Sequence, residues 1–220
     1  MRIMEARELF QKGYNTLHLS LSDGATDKFI VYLSELQKWN RKINLIGKTS
    51  QKNIIEKHFF DSLFLLSHLE KSHELKLLDV GSGAGFPGLV LKAACPSLQL
   101  TLAEPRQKRA SFLRHVIRTL KLDHVEVIDA RIEPGEEQQE NTFPLITSRA
   151  LSTIAEFLEL IRHYSSPGGL IFCMKGPKAE DEINQWQKAS PRSPFTLVDS
   201  TKYHLPFSGD IRNIVTFKKG

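Results

Sequence analysis

Cysteine is scarce in this sequence. Only Cys95 and Cys173 occur among 220 residues, neither belongs to a CxxC pair, and no pair of histidines lies near either one. This pattern excludes a disulfide framework and a cysteine-based zinc site. Because free cysteine is among the most buried residue types, we expect both thiols to be reduced and packed in the core. We expect no metal in the protein.

Long apolar runs are also missing. No run approaches the ~18 residues that a membrane span requires. Charged residues follow Met1 at Arg2, Glu5 and Arg7, which is not the composition of an apolar signal segment. We therefore expect a cytoplasmic protein with no membrane contact.

The charge balance is moderately basic. Thirty Lys and Arg against 25 Asp and Glu give a net charge of +5, which favours an anionic partner. Arg106 and Arg109, at the start of a predicted helix, are candidates for contact with nucleic-acid phosphates. A hydrophobic content of 40% is enough for a sizeable core.

Strands and helices alternate from about residue 75 onward, whereas the first 73 residues are helical in pattern. Alternation of this kind predicts an α/β fold, with a mostly parallel sheet covered on both faces. No helix separates the last two strands, so an antiparallel closing strand is expected. The predicted domains are an N-terminal helical cap at 1–73 and a Rossmann-like domain at 74–220. The predicted strands are 75–80, 98–104, 125–129, 144–148, 169–174, 195–200 and 214–217.

The first strand ends in a glycine-rich loop that is typical of a nucleotide-cofactor site. Gly83–Gly88 fits the G-x-G-x-x-G pattern of dinucleotide-binding folds, but that register would put Asp79 and Gly81 inside a buried strand. The register D-V-G-x-G-x-G, with Gly81, Gly83 and Gly85, instead puts the Asp79 carboxylate just before the turn. A carboxylate there suits a ligand with a positive amino group, such as S-adenosylmethionine.

Further candidate residues follow other strands. Glu104 ends the second strand, 23 residues after Gly81, near the ~20 expected for an acid that binds ribose hydroxyls. Arg149 ends the fourth strand, and ligands of such sheets bind at the carboxyl ends of the strands. In the helical segment, His58, Asp61 and Ser62 share one face. Two interpretations of this face stay open, a buried hydrogen-bond network and a substrate-positioning group.

Taken together, the motifs resemble those of the RsmG family (also called GidB), bacterial 16S rRNA guanine-N7 methyltransferases. The resemblance spans nearly the whole chain and rests on W-N-x-x-x-N-L at 39–45, K-H-x-x-D-S-L at 57–63, D-V-G-S-G-x-G-x-P-G at 79–88, E-x-x-x-K-R-x-x-F-L at 104–113 and S-R-A at 148–150. It implies a class I S-adenosylmethionine-dependent methyltransferase fold with an N-terminal helical cap. It also implies cofactor contacts at Gly81, Phe86, Ile132, Glu133 and Arg149.

The implied reaction asks for little acid or base chemistry. Guanine N7 carries a lone pair and no proton, so positioning of the reactants should dominate the catalysis. Arg149, His58 and Asp61 are therefore predicted as orienting residues rather than as a general base. The implied partner is 16S rRNA, free or in the small ribosomal subunit, and a monomer is favoured.

Two other classes of function remain open at this point. One is an NAD(P)-dependent oxidoreductase that uses the alternative glycine register, and the other is a noncatalytic RNA-binding module.

Cofactor titration separates the cofactor classes. We expect saturable binding of S-adenosylmethionine by calorimetry and none of a nicotinamide dinucleotide. Tight binding of the dinucleotide without binding of S-adenosylmethionine would favour the oxidoreductase.

Overall fold

A seven-stranded sheet forms the centre of the molecule in the computed structural model, which describes residues 3–19, 21, 23–69, 75–133 and 142–220. The strand order is β3-β2-β1-β4-β5-β7-β6, and β7 is antiparallel to its neighbours β5 and β6. The strands are β1 (Lys76–Val80), β2 (Gln99–Ala103), β3 (Val125–Ile128), β4 (Phe143–Arg149), β5 (Ser165–Lys175), β6 (Phe195–His204) and β7 (Ile211–Lys219). The predicted mostly parallel sheet with an antiparallel closing strand is confirmed.

Neighbouring residues of each strand pack on opposite faces of the sheet. Leu77 belongs to one core cluster and Leu78 to the other, because successive side chains of a strand point to opposite sides. Helices α6 (Gly88–Ala94) and α7 (Gln107–Leu120) cover the first face, and α8 (Ile154–Leu160) and α9 (Ala179–Ala189) cover the second.

The N-terminal segment is helical, as its pattern predicts. It contains α1 (Ile3–Leu17), α2 (Asp23–Ile43), α3 (Gln51–Ile54), a π-helical turn (Ile55–Phe60), α4 (Asp61–Leu63) and α5 (Leu66–Leu69). Four aromatic rings join these elements, with centroids 5.4–5.9 Å apart between Phe10 and each of Phe29, Phe59 and Phe60. The same core cluster continues into α6, α7 and the sheet. The predicted domain boundary at 73/74 lies outside the described residues, and the division into two domains stays a prediction.

The scarce cysteines are both free. Cys173 is fully buried in β5, and burial raises the pKa of its thiol to about 12. Cys95 is only partly buried, after α6. Within the part of the chain that the structure describes, no helix has the length and hydropathy of a membrane span.

Two helical glycines differ sharply in the space around them. A Cβ added to Gly13 in α1 would lie 1.9 Å from Cζ of Phe60, whereas a Cβ on Gly24 in α2 would meet no atom within 4 Å. Gly13 therefore permits the close approach of α1 to the π-helical turn.

We expect Gly13→Ala to lower the free energy of unfolding by about 1–3 kcal/mol, because the added methyl overpacks the aromatic core. The matched variant Gly24→Ala should be neutral or stabilising by up to about 1 kcal/mol, since alanine is the better helix former. Urea unfolding of both variants measures the difference. Equal effects of the two substitutions would contradict this account of the packing.

Candidate cofactor and active site

The glycine loop after β1 adopts the second of the two registers considered above. Gly81, Gly83 and Gly85 have φ angles of +73°, +59° and +90°, in the left-handed region that favours glycine. Gly88 instead begins α6, where a Cβ would lie 2.6 Å from a methyl carbon of Leu102. The glycines at 81, 83 and 85 thus allow the turn, and the glycine at 88 allows close packing of helix on strand.

Asp79 lies inside the buried strand β1, next to this loop, so the expectation that such a strand would exclude it is wrong. Its side chain is fully buried, and Oδ2 accepts a hydrogen bond of 2.9 Å from the Gly88 N–H. Oδ1 has no hydrogen-bond partner among the described residues. Burial raises the pKa of Asp79 to about 7, because desolvation disfavours the charged form. Asp79 does not line the cavity described below, so its contact with a ligand's amino group stays a prediction.

Glu104 joins the end of β2 to the loop. Its buried carboxylate accepts a 2.9 Å hydrogen bond from the Gly83 N–H through Oε2 and another of 2.9 Å from the Arg106 N–H through Oε1. The guanidinium of Arg109 lies 3.9 Å from the same carboxylate. Glu104 therefore lies where the sequence predicts the ribose-binding acid, beside the glycine loop.

A cavity of about 710 Å³ opens at the carboxyl ends of the strands. Residues of the glycine loop, Glu104 and residues of the N-terminal helical segment line it together. The predicted site residues that line it are Gly81, Gly83, Phe86, Glu104, His58, Asp61 and Arg149, and Gly85 does not. The structure thus brings the two groups of candidates into one site.

 Arg149 follows Glu104 by 45 positions in the sequence, so only the fold brings the two side chains together.

Arg149, at the end of β4, connects the sheet to the cap. Its Nη1 donates to the Lys57 carbonyl at 2.9 Å and to Oδ2 of Asp61 at 3.2 Å, and its Nη2 lies 2.9 Å from Nδ1 of His58. The guanidinium carbon also lies 5.3 Å from the centroid of the Phe86 ring. The predicted orienting residues Arg149, His58 and Asp61 therefore form one hydrogen-bonded cluster.

Asp61 has two further partners that the sequence analysis missed. Tyr203 on β6 donates its hydroxyl to Oδ1 at 2.9 Å, and Nε of Arg212 on β7 lies 3.8 Å from the same oxygen. These residues follow Asp61 by more than 140 positions, and no local motif marks them. Ser62, which was grouped with His58 and Asp61, instead donates to the His58 carbonyl at 2.6 Å and does not line the cavity.

A second link between the cap and the β6–β7 hairpin was also missed. Buried Glu56 accepts hydrogen bonds from the N–H groups of Phe207 and Ser208 at 2.7 and 2.6 Å. Lys57 pairs with Asp210 of the same hairpin at 3.0 Å. The hairpin therefore holds the outer side of the segment that carries His58 and Asp61.

His58 lies in the π-helical turn and stacks on Phe86. The two ring centroids are 4.9 Å apart, and Tyr32 of α2 also stacks on Phe86, with ring centroids 5.3 Å apart. Burial, and secondarily the charge of Arg149, lower the pKa of His58 to about 3. His58 is therefore neutral at physiological pH.

Ile132 and Glu133 are placed differently from the other predicted cofactor residues. Ile132 is buried and lines a neighbouring cavity of about 490 Å³ that shares Gly81, Pro105 and Leu151 with the first. Glu133 is exposed and lines neither cavity, and its carbonyl accepts a hydrogen bond of 2.9 Å from the Tyr164 hydroxyl. A contact of either residue with a cofactor stays a prediction.

The residues present fit an adenosine-containing ligand with an amino acid tail. Glu104 offers a carboxylate at a strand end, the glycine loop allows close approach of backbone, and Asp79 supplies a buried oxygen without a partner below that loop. Among the described residues, no cluster of three or more His, Cys, Asp or Glu could hold a metal ion.

Solved structures with a similar fold include S-adenosylmethionine-dependent methyltransferases. A S-adenosylmethionine-dependent methyltransferase from Aquifex aeolicus aligns with a TM-score of 0.58 at 18% identity, over 86% of this chain and 98% of that one. TYW2 from P. horikoshii, solved in complex with MeSAdo, aligns with a TM-score of 0.59 at 12% identity, over 80% of this chain and 65% of that one. The fold is that of the S-adenosylmethionine-dependent methyltransferases.

Sequence comparison defines the family more closely. The family model described as "rRNA small subunit methyltransferase G" matches residues 25–207. A protein of Desulfotalea psychrophila named ribosomal RNA small subunit methyltransferase G is 41% identical over 209 residues, which cover 94% of this chain and 95% of the relative. The protein of the same name from Geobacter sulfurreducens is 38% identical over 96% of each chain. The chain belongs to the rRNA small subunit methyltransferase G family, which confirms the resemblance to RsmG.

The raised pKa of Asp79 predicts a pH-dependent stability. Between about pH 4 and about pH 7 the folded protein holds a proton on Asp79 that the unfolded chain has lost, so stability falls as pH rises through this interval. Above about pH 7, Asp79 is charged in the folded protein, and the free energy of unfolding is lowered by the full cost of burying that charge. Asp79→Asn removes this titration, so the variant should gain stability relative to the wild type by a few kcal/mol (roughly 1.4 per pKa unit) as pH rises.

Urea unfolding at several pH values measures this difference. Asp123→Asn, at an exposed acid, is the control and should give no such trend. A difference between the wild type and Asp79→Asn that does not change with pH would contradict the assignment.

Proposed function

We propose that the protein transfers a methyl group from S-adenosylmethionine to N7 of a guanosine in 16S ribosomal RNA. The observation that carries the proposal is the shared cavity, which is lined by the glycine loop, by Glu104 and by the cluster of Arg149, His58 and Asp61. Membership of the rRNA small subunit methyltransferase G family supports RNA as the substrate. A ribosomal substrate is consistent with the predicted cytoplasmic location.

The residues divide into a cofactor side and a substrate side. On the cofactor side, Glu104 would bind the ribose hydroxyls, and Gly81 and Gly83 would let the backbone approach the ligand closely. Ile132 would pack against the adenine, because it lines the neighbouring cavity that shares Gly81 with the first. On the substrate side, the cap contributes His58 and Asp61.

The chemistry needs orientation more than proton transfer. S-adenosylmethionine supplies a methyl group that its sulfonium already activates. Guanine N7 has no proton to lose, so the chain needs no general base. Holding reactants in line can lower a barrier by about 7–11 kcal/mol, and Arg149 and His58 are well placed to orient a base because hydrogen bonds fix both side chains.

The RNA must present its base outside a regular helix. N7 lies on the major-groove edge, and that groove is deep and narrow in A-form RNA. The target is therefore a loop nucleotide or one displaced from its stack. Arg106 and Arg109 line the cavity beside Glu104 and provide positive charge for the flanking phosphates.

Transfer of labelled methyl groups tests the function directly. Purified protein with labelled S-adenosylmethionine should modify 16S rRNA, free or in the small ribosomal subunit, and nuclease digestion with mass spectrometry should identify 7-methylguanosine. Transfer only to proteins or small molecules, or a methyl group at another guanine atom, would contradict the proposal.

Glu104→Gln tests the cofactor wall. Loss of the carboxylate should weaken binding of S-adenosylmethionine by about tenfold to a hundredfold, because hydrogen bonds to charged groups contribute about 1.5–3 kcal/mol. Titration calorimetry measures the affinity, and thermal unfolding checks the loop contacts of Glu104. The control Glu126→Gln, at an exposed acid of β3, should bind like the wild type. Unchanged affinity in folded Glu104→Gln would refute the ribose role.

A further inference from the structure

The hydrogen bond from Arg149 determines which nitrogen of His58 carries its proton. Nη2 of Arg149 lies 2.9 Å from Nδ1 of His58, and a guanidinium can only donate. Nδ1 must therefore accept and carry no proton. Because the ring is neutral, its one proton is on Nε2, which makes that atom a hydrogen-bond donor.

The donor atom of His58 is available to a ligand. Nε2 has no hydrogen-bond partner among the described residues. It is also not one of their fully buried polar atoms that lack a partner, so it is accessible from the cavity. His58 lines the same cavity as Gly81 and Gly83. A base that enters this cavity thus meets a neutral N–H donor in the same cavity as the predicted cofactor residues.

The position of this donor is fixed from several directions. Phe86 stacks on the imidazole at 4.9 Å, and Tyr32 stacks on Phe86. Arg149 is in turn held by Asp61 and by the Lys57 carbonyl. A donor held this way loses little conformational freedom when it binds a substrate.

We propose that Nε2–H of His58 donates a hydrogen bond to O6 of the target guanine and so selects guanine over adenine. Guanine presents two acceptors, N7 and O6, on its major-groove edge, whereas adenine presents N7 and an amino donor. A fixed N–H donor satisfies O6 and leaves the N7 lone pair free for methylation. With adenine, the Nε2–H of His58 and the amino group of the base would face each other as two donors, and neither would have an acceptor.

This assignment rests on the proposed function and gives Arg149 a positioning role. Arg149 acts through His58, because its hydrogen bond fixes the imidazole tautomer. Asp61 and Tyr203 act one step further away, since they hold the guanidinium in place.

The tautomer can be measured without any substrate or cofactor. Nitrogen-15 NMR of the histidine rings should show His58 protonated on Nε2 alone at pH 7 and still neutral near pH 5, with the signal assigned by its loss in His58→Asn. A proton on Nδ1, or a charged ring at pH 7, would overturn the proposal.

The contact with O6 is tested by changing both partners. Once the methylated guanosine has been located, it is replaced by 2-aminopurine, which keeps N7 and lacks O6. The wild type should lose about tenfold in kcat/KM on this replacement, as expected for one neutral hydrogen bond. His58→Asn keeps an acceptor for Arg149 but removes the Nε2–H donor. The variant should therefore methylate the guanosine about tenfold less well than the wild type and show no further loss with 2-aminopurine.

Two more variants complete the design. His58→Gln can place an amide N–H near the Nε2 position and should keep a preference for O6. His124→Asn, at an exposed histidine at the amino end of β3 with a φ of +55° that asparagine tolerates, should behave like the wild type with both RNAs.

The outcomes separate this inference from the proposed function. If the wild type methylates the guanosine but tolerates 2-aminopurine equally well, the O6 contact is refuted and the methyltransferase function stands. If folded His58→Asn remains as sensitive to loss of O6 as the wild type, another group donates the hydrogen bond to O6 and the assignment to His58 is wrong. If the wild type methylates no guanosine in 16S rRNA, both proposals fail together.

Discussion

The ion pair between Arg149 and Asp61 is the interaction on which the candidate site depends. Both side chains are largely buried, with 18% and 6% of their surfaces exposed, so each charge needs compensation. Asp61 obtains it from Arg149, Tyr203 and Arg212, and Arg149 obtains it from Asp61, His58 and the Lys57 carbonyl. Since these residues come from the cap, β4, β6 and β7, the pair joins the helical segment to the carboxyl edge of the sheet.

The glycine loop depends on backbone geometry instead of charge pairing. Left-handed φ angles at Gly81, Gly83 and Gly85 shape the loop, and Glu104 fixes it by accepting the Gly83 N–H. Asp79 supports the loop from below through Gly88. A glycine backbone held by two carboxyl side chains can approach a ligand closely, while the N-terminal helical segment contributes Lys57 and His58 to the same cavity.

Much of this arrangement could be predicted from the sequence, because its signals are local. Strand and helix alternation gives the sheet, and the spacing of Asp79, the glycines and Glu104 gives the cofactor wall. The contacts of Tyr203 and Arg212 with Asp61 could not be predicted, since they join residues far apart in sequence and no periodicity marks them. The π-helical turn at Ile55–Phe60 was also missed, because its apolar pattern resembles that of an ordinary helix.

A crystal structure with S-adenosylhomocysteine bound tests the central claim most directly. The account predicts that the ribose lies on the Glu104 carboxylate, that the amino acid tail lies beside Gly81 and Gly83, and that the sulfur faces His58 and Arg149 across the cavity. A ligand bound elsewhere, or one whose sulfur faces away from the cap cluster, would contradict it.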